Sequence, residues 1–460
     1  MIKQVLFNAS YILILLISFS CASGQKHKNQ ELKTGEIYPS VTCQGDTSLT
    51  YALQLPTQYV KDKSYPVLIL FDSHGDGLLP VNLFSAEALK NDFIIAGSNN
   101  SKNGMPVAQT TAIYRALLAD LAARFNIEKQ AIYLCGFSGG SRVAGAAAIT
   151  EGGVAGVVGC GAGLPNTNQK PVSRFSYLAV VGNQDFNYTE MLQLDESLEQ
   201  AGFQHHLLVF GGIHQWPPKD LIPDIFTWLL FDAMRQKAIP ADRKQIDQFI
   251  EKCDKTANAY AADGKFHEQQ DTYLKMAHFL QGLTDVAPLQ TEINRLSGEK
   301  EVISFRAKQK QIQSLEQELQ RKYSPEIQQR DIAWWTKETT KLINISTTPG
   351  DPDINQVYKR LLGFLSLNCY MYSSGALKQG DIAAAAKFIE IYRLVDPTNA
   401  EHRYMAAEVA ALSKDPDAML LDLKQAFELG FKDIKRLQAD PDFIPYHQDA
   451  RYKSLLQGKQ

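Results

Sequence analysis

The chain lacks the features that define several classes of protein. Its 47 Lys and Arg residues are offset by 50 Asp and Glu residues, and a net charge of −3 gives it no basic surface for nucleic acid. Its six cysteines show no metal-ligand spacing. Cys135 and Cys160 end neighbouring apolar runs and are candidates for a pair outside the cytoplasm, although unpaired buried thiols are the simpler expectation. The 45% hydrophobic and 21% charged composition is that of a soluble globular protein.

The amino terminus carries an apolar stretch that is short of the roughly 20 residues that span a bilayer comfortably. Residues 5–19 are mostly apolar, follow Lys3, and precede small residues, which is the organisation of a secretory signal. Cys21 resembles the cleavage and acylation site of a bacterial lipoprotein signal; a simple cleaved signal with an incidental cysteine is the alternative. We therefore predict a signal over 1–21, a polar tether and lead-in over 22–48, and lipid anchoring in the cell envelope, on a periplasmic or surface face.

The rest of the chain is too long for one ordinary core and predicts two domains. The first, 49–237, alternates apolar runs with helical patterns, which predicts a doubly wound, mostly parallel sheet. Its expected parallel strands are nearly continuous in apolar residues, as strands covered on both faces should be; they are 65–72, 92–98, 130–137, 154–163, 174–185 and 205–212. Helices are expected over 107–125, 138–149, 188–201 and 217–234. Residues 49–56 alternate in polarity and predict an antiparallel edge strand.

The second predicted domain, 238–460, is poor in glycine and has no strand-like runs, so it is expected to be all helical. A long polar helix is predicted over about 299–323. The segments 366–399, 400–433 and 257–277 resemble tetratricopeptide repeats of about 34 residues. An irregular helical bundle is the alternative.

A serine lies at a strand-to-helix turn in the first domain. The segment Gly136-Phe137-Ser138-Gly139-Gly140 is G-x-S-x-G, placed after an expected strand and before an expected helix. Glycine two positions to either side avoids a clash in the strained backbone of such an elbow. Ser138 is therefore the candidate nucleophile, and the alternative is a small-residue turn packed under a helix.

The serine needs a base, since its hydroxyl is a weak nucleophile at neutral pH. His214 follows the last expected strand, at the edge of the sheet where α/β sheets gather their sites. His205 and His206 start that strand, at the wrong end, and suit packing or surface roles. The alternative for His214 is a loop histidine bonded to its neighbours.

The base in turn needs a carboxylate that fixes its tautomer. Asp185 directly follows an expected strand, whereas Asp195 lies inside the next helix and is a poorer candidate. A helix-capping role is the alternative for Asp185. The order Ser138, Asp185, His214 is the Ser–acid–His order of α/β-hydrolases.

Charge that develops on a substrate oxygen needs fixed N–H donors. One is expected from the backbone of Gly139, directly after the nucleophile. The other is expected from Gly75 or Asp76, in the loop 72–77. His74, Phe137 and Trp216 are expected near the substrate.

These residues resemble the α/β-hydrolase superfamily, and within it secreted esterases related to poly(3-hydroxybutyrate) depolymerases and feruloyl esterases, and more loosely dienelactone hydrolases. The resemblance lies in His74-Gly75, the G-x-S-x-G segment 136–140, Gly182-x-x-Asp185, and Gly212-x-His214-x-Trp216-Pro217. It covers residues 50–235. It implies hydrolysis of carboxylic esters through an acyl-enzyme, with no metal and no organic cofactor. The pair Asp72-Ser73 departs from the family pattern, and the short gap from Gly163 to Arg174 leaves little room for a lid.

The sequence therefore predicts an exported serine hydrolase of the carboxylesterase type, acting on a small-molecule or polymer ester. A serine peptidase on the same fold is one alternative. Another is a non-catalytic binding or scaffold lipoprotein that uses its helical repeats. In the predicted hydrolase, the helical domain either shapes a wall of the cleft or binds a protein partner.

Overall fold

The computed structural model describes residues 32–165 and 169–457, and within them the chain forms one eight-stranded sheet followed by a large helical region. The predicted signal, including Cys21, lies outside the described residues. In the part of the chain that the structure covers, no helix is both long and apolar enough to cross a membrane.

The six predicted parallel strands are present, although their bounds differ from the prediction. The strand predicted over 130–137 begins three residues earlier, and those predicted over 154–163 and 174–185 are shorter, Gly156–Cys160 and Ser176–Gly182. The strand Tyr65–Phe71 is buried along its whole length. The strands are β1 (Ile37–Thr42), β2 (Thr50–Gln54), β3 (Tyr65–Phe71), β4 (Ile94–Ser98), β5 (Ile127–Phe137), β6 (Gly156–Cys160), β7 (Ser176–Gly182) and β8 (His205–Phe210).

The order in the sheet is β1-β2-β4-β3-β5-β6-β7-β8. β1 and β2 are antiparallel to their neighbours, and the strands from β4 to β8 are parallel. This is the α/β-hydrolase sheet, and the predicted fold class is confirmed. One detail was wrong: the 49–56 segment, β2, is not an edge strand, because the unpredicted β1 pairs along its outer side.

The helices of the α/β half cover both faces of the sheet. They are α1 (Leu78–Lys90), α2 (Val107–Arg124), α3 (Gly139–Glu151), α4 (Tyr188–Gln200) and α5 (Ile222–Arg235), the last preceded by a 3₁₀ turn, Lys219–Leu221. α1 was not predicted, and the other four match the expected positions to within a few residues.

The remaining helices form the second half of the molecule. They are α6 (Arg243–Ala262), α7 (Phe266–Leu280), α8 (Ala287–Leu296), α9 (Lys300–Tyr323), α10 (Glu326–Gln329), α11 (Ile332–Thr347), α12 (Pro352–Gln379), α13 (Ile382–Val395), α14 (Glu401–Leu412), α15 (Pro416–Glu428), α16 (Ile434–Ala439) and α17 (Ala450–Leu456). The predicted polar helix is α9. Consecutive helices pack as hairpins, notably α6 with α7, α12 with α13 and α14 with α15. The first helix of the predicted 366–399 repeat is the second half of α12, a helix of 28 residues.

The two halves share a core. Phe249 and Cys253 of α6 and Phe279 of α7 pack in the same apolar cluster as the sheet and α5. Thr34–Gln460 accordingly forms one compact unit. The α/β elements end with α5 and the all-helical part begins with α6, while the core continues from one to the other.

The five cysteines of the described residues are free thiols, and all are buried. Cys135 and Cys160 lie at the ends of the neighbouring strands β5 and β6. Burial raises the pKa of the Cys135 thiol, with a hydrogen bond to Cys160 adding to the effect. Unpaired buried thiols, the simpler of the two expectations, are what the structure contains.

Candidate active site

Ser138 stands at the turn between β5 and α3, in a backbone conformation that few residues adopt. Its φ is 54° and its ψ is −119°. Such a conformation costs on the order of 1–3 kcal/mol and persists only where the surroundings fix it. Here the Ser138 N–H donates to the carbonyl of Cys160 at 2.8 Å, which ties the elbow to β6.

The flanking glycines are required because backbone atoms occupy the places where their Cβ atoms would lie. A Cβ on Gly136 would stand 2.1 Å from the carbonyl oxygen of Gly140. A Cβ on Gly140 would stand 2.0 Å from the carbonyl oxygen of Phe71, at the end of β3. The motif therefore lets α3 approach β3 and β5 closely with the serine at its first turn.

The structure brings the three predicted residues of the triad together. Nε2 of His214 lies 3.0 Å from Oγ of Ser138, and Nδ1 of His214 lies 2.9 Å from each carboxylate oxygen of Asp185. Because Asp185 accepts at Nδ1, the neutral imidazole carries its proton there, and Nε2 is left to accept from the serine hydroxyl. Asp185 is fully buried, and the His214 side chain is 19% exposed.

The acid and the base lie on two loops that are bonded to each other. Residues 183–187 follow β7, and residues 211–216 follow β8. Gln184 N–H donates to the carbonyl of Gly212 at 2.8 Å, and Gly212 N–H donates to Oδ1 of Asn183 at 3.2 Å. The position of Asp185 relative to His214 therefore depends on the backbone at 183–186.

Aromatic rings enclose the imidazole. The ring of Phe137 lies 4.7 Å from that of His214, and the ring of Phe186 lies 4.2 Å from it. Phe137 was expected near the site. Phe186 was not singled out from the sequence, although its place directly after Asp185 was a usable signal.

The amino end of α3 supplies donors for a developing negative charge. In the described part of the chain, no residue accepts a hydrogen bond from the N–H of Gly139 or of Gly140. Both N–H groups belong to the first turn of a helix, where the macrodipole is positive. Oδ1 of Asn103 occupies the place of a Gly139 Cβ, so the 99–105 loop lies directly over this turn.

The second N–H donor to the oxyanion was predicted to come from Gly75 or Asp76, and the structure corrects this prediction for Gly75. Its N–H donates to the carbonyl of Asp72 at 3.2 Å and closes a turn, so it is not free to bind an oxyanion in this conformation. Oδ1 of Asp76 accepts from the N–H of Leu79 at the start of α1, while the N–H of Asp76 has no acceptor within the described ranges. Ser73 is buried, and its N–H likewise has no acceptor there.

Asp72, which departs from the family pattern, is a buried anion. It accepts from Nε1 of Trp216 at 3.1 Å and from the N–H of His74 at 2.8 Å. Burial by itself would raise the pKa of Asp72, but the bonds from His74 and Trp216 outweigh it, and that pKa is lowered. Asp72 therefore joins the two residues that the sequence placed near the substrate, His74 and Trp216.

His74 lies at the edge of the candidate active site, called the rim below, and its side chain is 80% exposed. Its pKa is raised, first by the hydrogen bond with Asp72 and then by the negative charge of Asp72, Asp433 and Glu401. Glu401 begins α14, and Asp433 precedes α16. The helical region therefore contributes to the electrostatics of this rim.

Two clusters of side chains in the helical region have the chemistry to hold a cation. Their potential ligand atoms lie within 4.8 Å of one another; the clusters are His267, Glu268 and Glu301, and Glu408, Asp440 and Asp442. Neither cluster includes a residue of the triad.

No family model and no curated protein matches this chain. Among solved structures it is similar to S-formylglutathione hydrolase from Staphylococcus aureus, with 17% identity, 40% of this chain and 90% of that chain covered, and a TM-score of 0.34. A mutant feruloyl esterase module from Clostridium thermocellum, complexed with sinapinate, has 14% identity, coverage of 39% and 81%, and a TM-score of 0.33. A puromycin-hydrolyzing peptidase from Mycobacterium tuberculosis has 9% identity, coverage of 44% and 39%, and a TM-score of 0.35.

These three proteins are each similar to less than half of this chain, at low sequence identity. The assignment of the α/β-hydrolase fold therefore rests on the order and the directions of the eight strands.

Proposed function

We propose that this protein is a serine hydrolase that cleaves carboxylic esters through an acyl-enzyme. The observation that carries the proposal is the hydrogen-bonded series from Ser138 Oγ through His214 to the buried carboxylate of Asp185. Three residues of the right types, in the right order and within hydrogen-bonding distance, make up the arrangement that activates a serine hydroxyl.

In the first half of the reaction, Ser138 Oγ attacks the ester carbonyl carbon and its proton passes to Nε2 of His214. Asp185 stabilises the imidazolium that results. The N–H groups of Gly139 and Gly140 stabilise the negative carbonyl oxygen of the tetrahedral intermediate. When that intermediate collapses, the C–O bond to the alcohol breaks, and His214 returns the proton to the departing oxygen.

In the second half, a water molecule takes the place of the alcohol. His214 Nε2 accepts its proton, and the hydroxide oxygen bonds to the acyl carbon. The collapse of this second intermediate breaks the bond to Ser138 Oγ, to which His214 gives the proton. The acid leaves, and the enzyme returns to its starting state.

The proposal is tested by assaying the protein from residue 22 onward against p-nitrophenyl esters, aryl esters of sugars and proline-linked peptides. We expect ester hydrolysis that falls by about 10³-fold or more in Ser138→Ala. If only the peptides are cleaved, the protein is a serine peptidase and the proposed esterase activity is wrong. No turnover of any substrate by well-folded protein would favour a scaffold that uses its helical repeats.

We also propose that the protein is exported and anchored by a lipid at Cys21. The support is the basic start, the apolar stretch 5–19 and the cysteine directly after it. Labelled palmitate fed to bacteria that express the full chain should enter the protein, and Cys21→Ser should abolish its incorporation. Equal labelling of both forms would contradict the anchor.

A further inference from the structure

Helix α12 of the helical region contacts the loop that carries Asp185. Nη1 of Arg360 donates to the carbonyl oxygen of Asn183 at 2.8 Å, two residues before the acid. The bond joins positions 177 residues apart in the sequence. The Arg360 side chain is only 4% exposed, so water does not compete freely for this contact.

The guanidinium of Arg360 is itself fixed. Its Nε and Nη2 donate to Oε2 of Glu316, on α9, at 2.8 and 2.5 Å, and the Glu316 side chain is fully buried. The ring of Tyr188, in the first turn of α4, lies 4.9 Å below the guanidinium carbon. A buried pair of this kind adds little net stability, but it defines the position of both groups closely.

Gly363 lies one helical turn after Arg360 and contacts the same loop. A Cβ built on Gly363 would stand 3.2 Å from Cδ1 and 3.3 Å from Cβ of Phe186. The Phe186 ring in turn lies 4.2 Å from the imidazole of His214. A continuous series of contacts therefore runs from α12 through Phe186 to the catalytic base.

We infer that α12 positions the catalytic acid and base: Arg360 holds the backbone at 183, and the absence of a side chain at Gly363 leaves the space that Phe186 needs. Both residues act through others, so they are positioning residues. This inference rests on the proposed function. It assigns the helical region a place beside the catalytic centre, because α12 adds two contacts with the 183–186 segment to the hydrogen bonds that hold this segment within the α/β half.

Gly363→Val tests the inference, with Gly375→Val as the matched control. Both glycines lie on α12, and a Cβ at Gly375 would meet no atom within 4 Å. The cost of valine in a helix is therefore the same at both positions. We expect Gly363→Val to lower kcat for the best ester about 10- to 100-fold while KM changes less than about threefold, because displaced catalytic groups cost rate more than binding. Gly375→Val should retain the wild-type kcat.

The arginine contact is tested independently. Removing Arg360 alone would leave Glu316 as an unpaired buried charge, so the test variant is Arg360→Met with Glu316→Leu, which replaces both groups by apolar ones. Its control is Arg403→Met with Asp422→Leu, which removes the 2.8 Å pair between α14 and α15. We expect kcat to fall about tenfold or more in the first double variant only. Restoring Arg360 in the Glu316→Gln background should recover most of the rate.

If the wild type hydrolyses esters and both Gly363→Val and the Arg360–Glu316 double variant keep its kcat, the positioning role of α12 is wrong, but the proposed hydrolase function is retained. If the wild type hydrolyses nothing, the proposed function fails, and the positioning role fails with it. Circular dichroism of every variant separates a loss of kcat from a loss of folded protein, and Gly363→Ala, a smaller intrusion, serves if Gly363→Val does not fold.

Discussion

Nε2 of His214 lies 3.0 Å from Oγ of Ser138, although the two residues are 76 positions apart in the sequence. The distance is that of a hydrogen bond in which the serine hydroxyl donates to the imidazole. The parallel sheet produces this contact because β5 and β8 end at the same edge, so the loops that follow them meet.

Asp185→Asn should remove most of the activity. An asparagine preserves the shape of the side chain, but its amide N–H can donate to Nδ1 of His214. The neutral imidazole then carries its proton on Nε2, and this protonated nitrogen cannot accept the proton of the Ser138 hydroxyl. We expect kcat to fall about 10³- to 10⁴-fold with KM within about threefold. The control is Asp195→Asn, a carboxylate of α4 that pairs with His205 at 3.2 Å. Loss of activity in the control with retention in Asp185→Asn would contradict the assigned acid.

Gly140→Ala should destabilise the fold. The added methyl group would stand 2.0 Å from the carbonyl oxygen of Phe71, so the backbone of α3 or of β3 would have to move. We expect a loss of about 3 kcal/mol or more in the free energy of unfolding. Gly375→Ala, where nothing lies within 4 Å, should instead gain up to about 1 kcal/mol. Urea unfolding of both variants measures the difference, and equal midpoints would contradict the close approach of α3 to β3.

Trp216→Phe should weaken the loop that carries His214. The substitution removes the indole N–H that donates to the buried carboxylate of Asp72 at 3.1 Å. Loss of one donor to a buried charge should cost about 1–3 kcal/mol of stability. Trp334→Phe is the control, since its indole N–H has no acceptor among the residues that the structure describes. A smaller effect at Trp216 than at Trp334 would argue against the Asp72 contact.

Acid should destabilise the junction between β8 and α7. The Nδ1 atoms of His206 and His278 lie 3.1 Å apart, and burial first, then neighbouring positive charge, lowers the pKa of both imidazoles. A base whose pKa is lower in the folded state favours folding above its unfolded pKa of about 6.5, and this stabilisation is lost as the pH falls below that value.

The free energy of unfolding should therefore decline between pH 7 and pH 5.5, and His206→Phe should make the decline shallower. Lys275 and His205 add repulsion to a protonated His206, whereas Asp195 and Glu199 partly offset the effect at His278. Chemical denaturation across this range measures the slope. An unchanged slope in His206→Phe would contradict a half-buried pair of neutral imidazoles.

Much of the α/β half could be predicted because its signals are local. The strands from β3 to β8 each contain a largely apolar run, and that of β3 is buried along its whole length. The elbow was visible for the same reason, since Gly136 and Gly140 each lie two residues from Ser138. β1 left no such signal: one of its six residues is buried, and it contains Pro39, which is tolerated at the edge of a sheet.

The contacts between the two halves could not be predicted. Arg360 contacts Asn183, from which it is separated by 177 positions in the sequence, and Gly363 contacts Phe186 at a similar sequence separation. No periodicity or motif spacing relates residues so far apart in the chain. The prediction of a free N–H in the loop 72–77 was wrong for another reason. Its glycine at 75 suggested a free N–H, but a turn closed by Asp72 uses that donor.

A fluorophosphonate probe followed by mass spectrometry of the digested protein tests whether Ser138 is an activated nucleophile. We predict one phosphonyl adduct per chain, on the peptide that contains Ser138, formed at least about 10³-fold more slowly in His214→Ala and absent in Ser138→Ala. If the folded wild-type protein forms no adduct, or forms it on another serine, Ser138 is not the activated nucleophile.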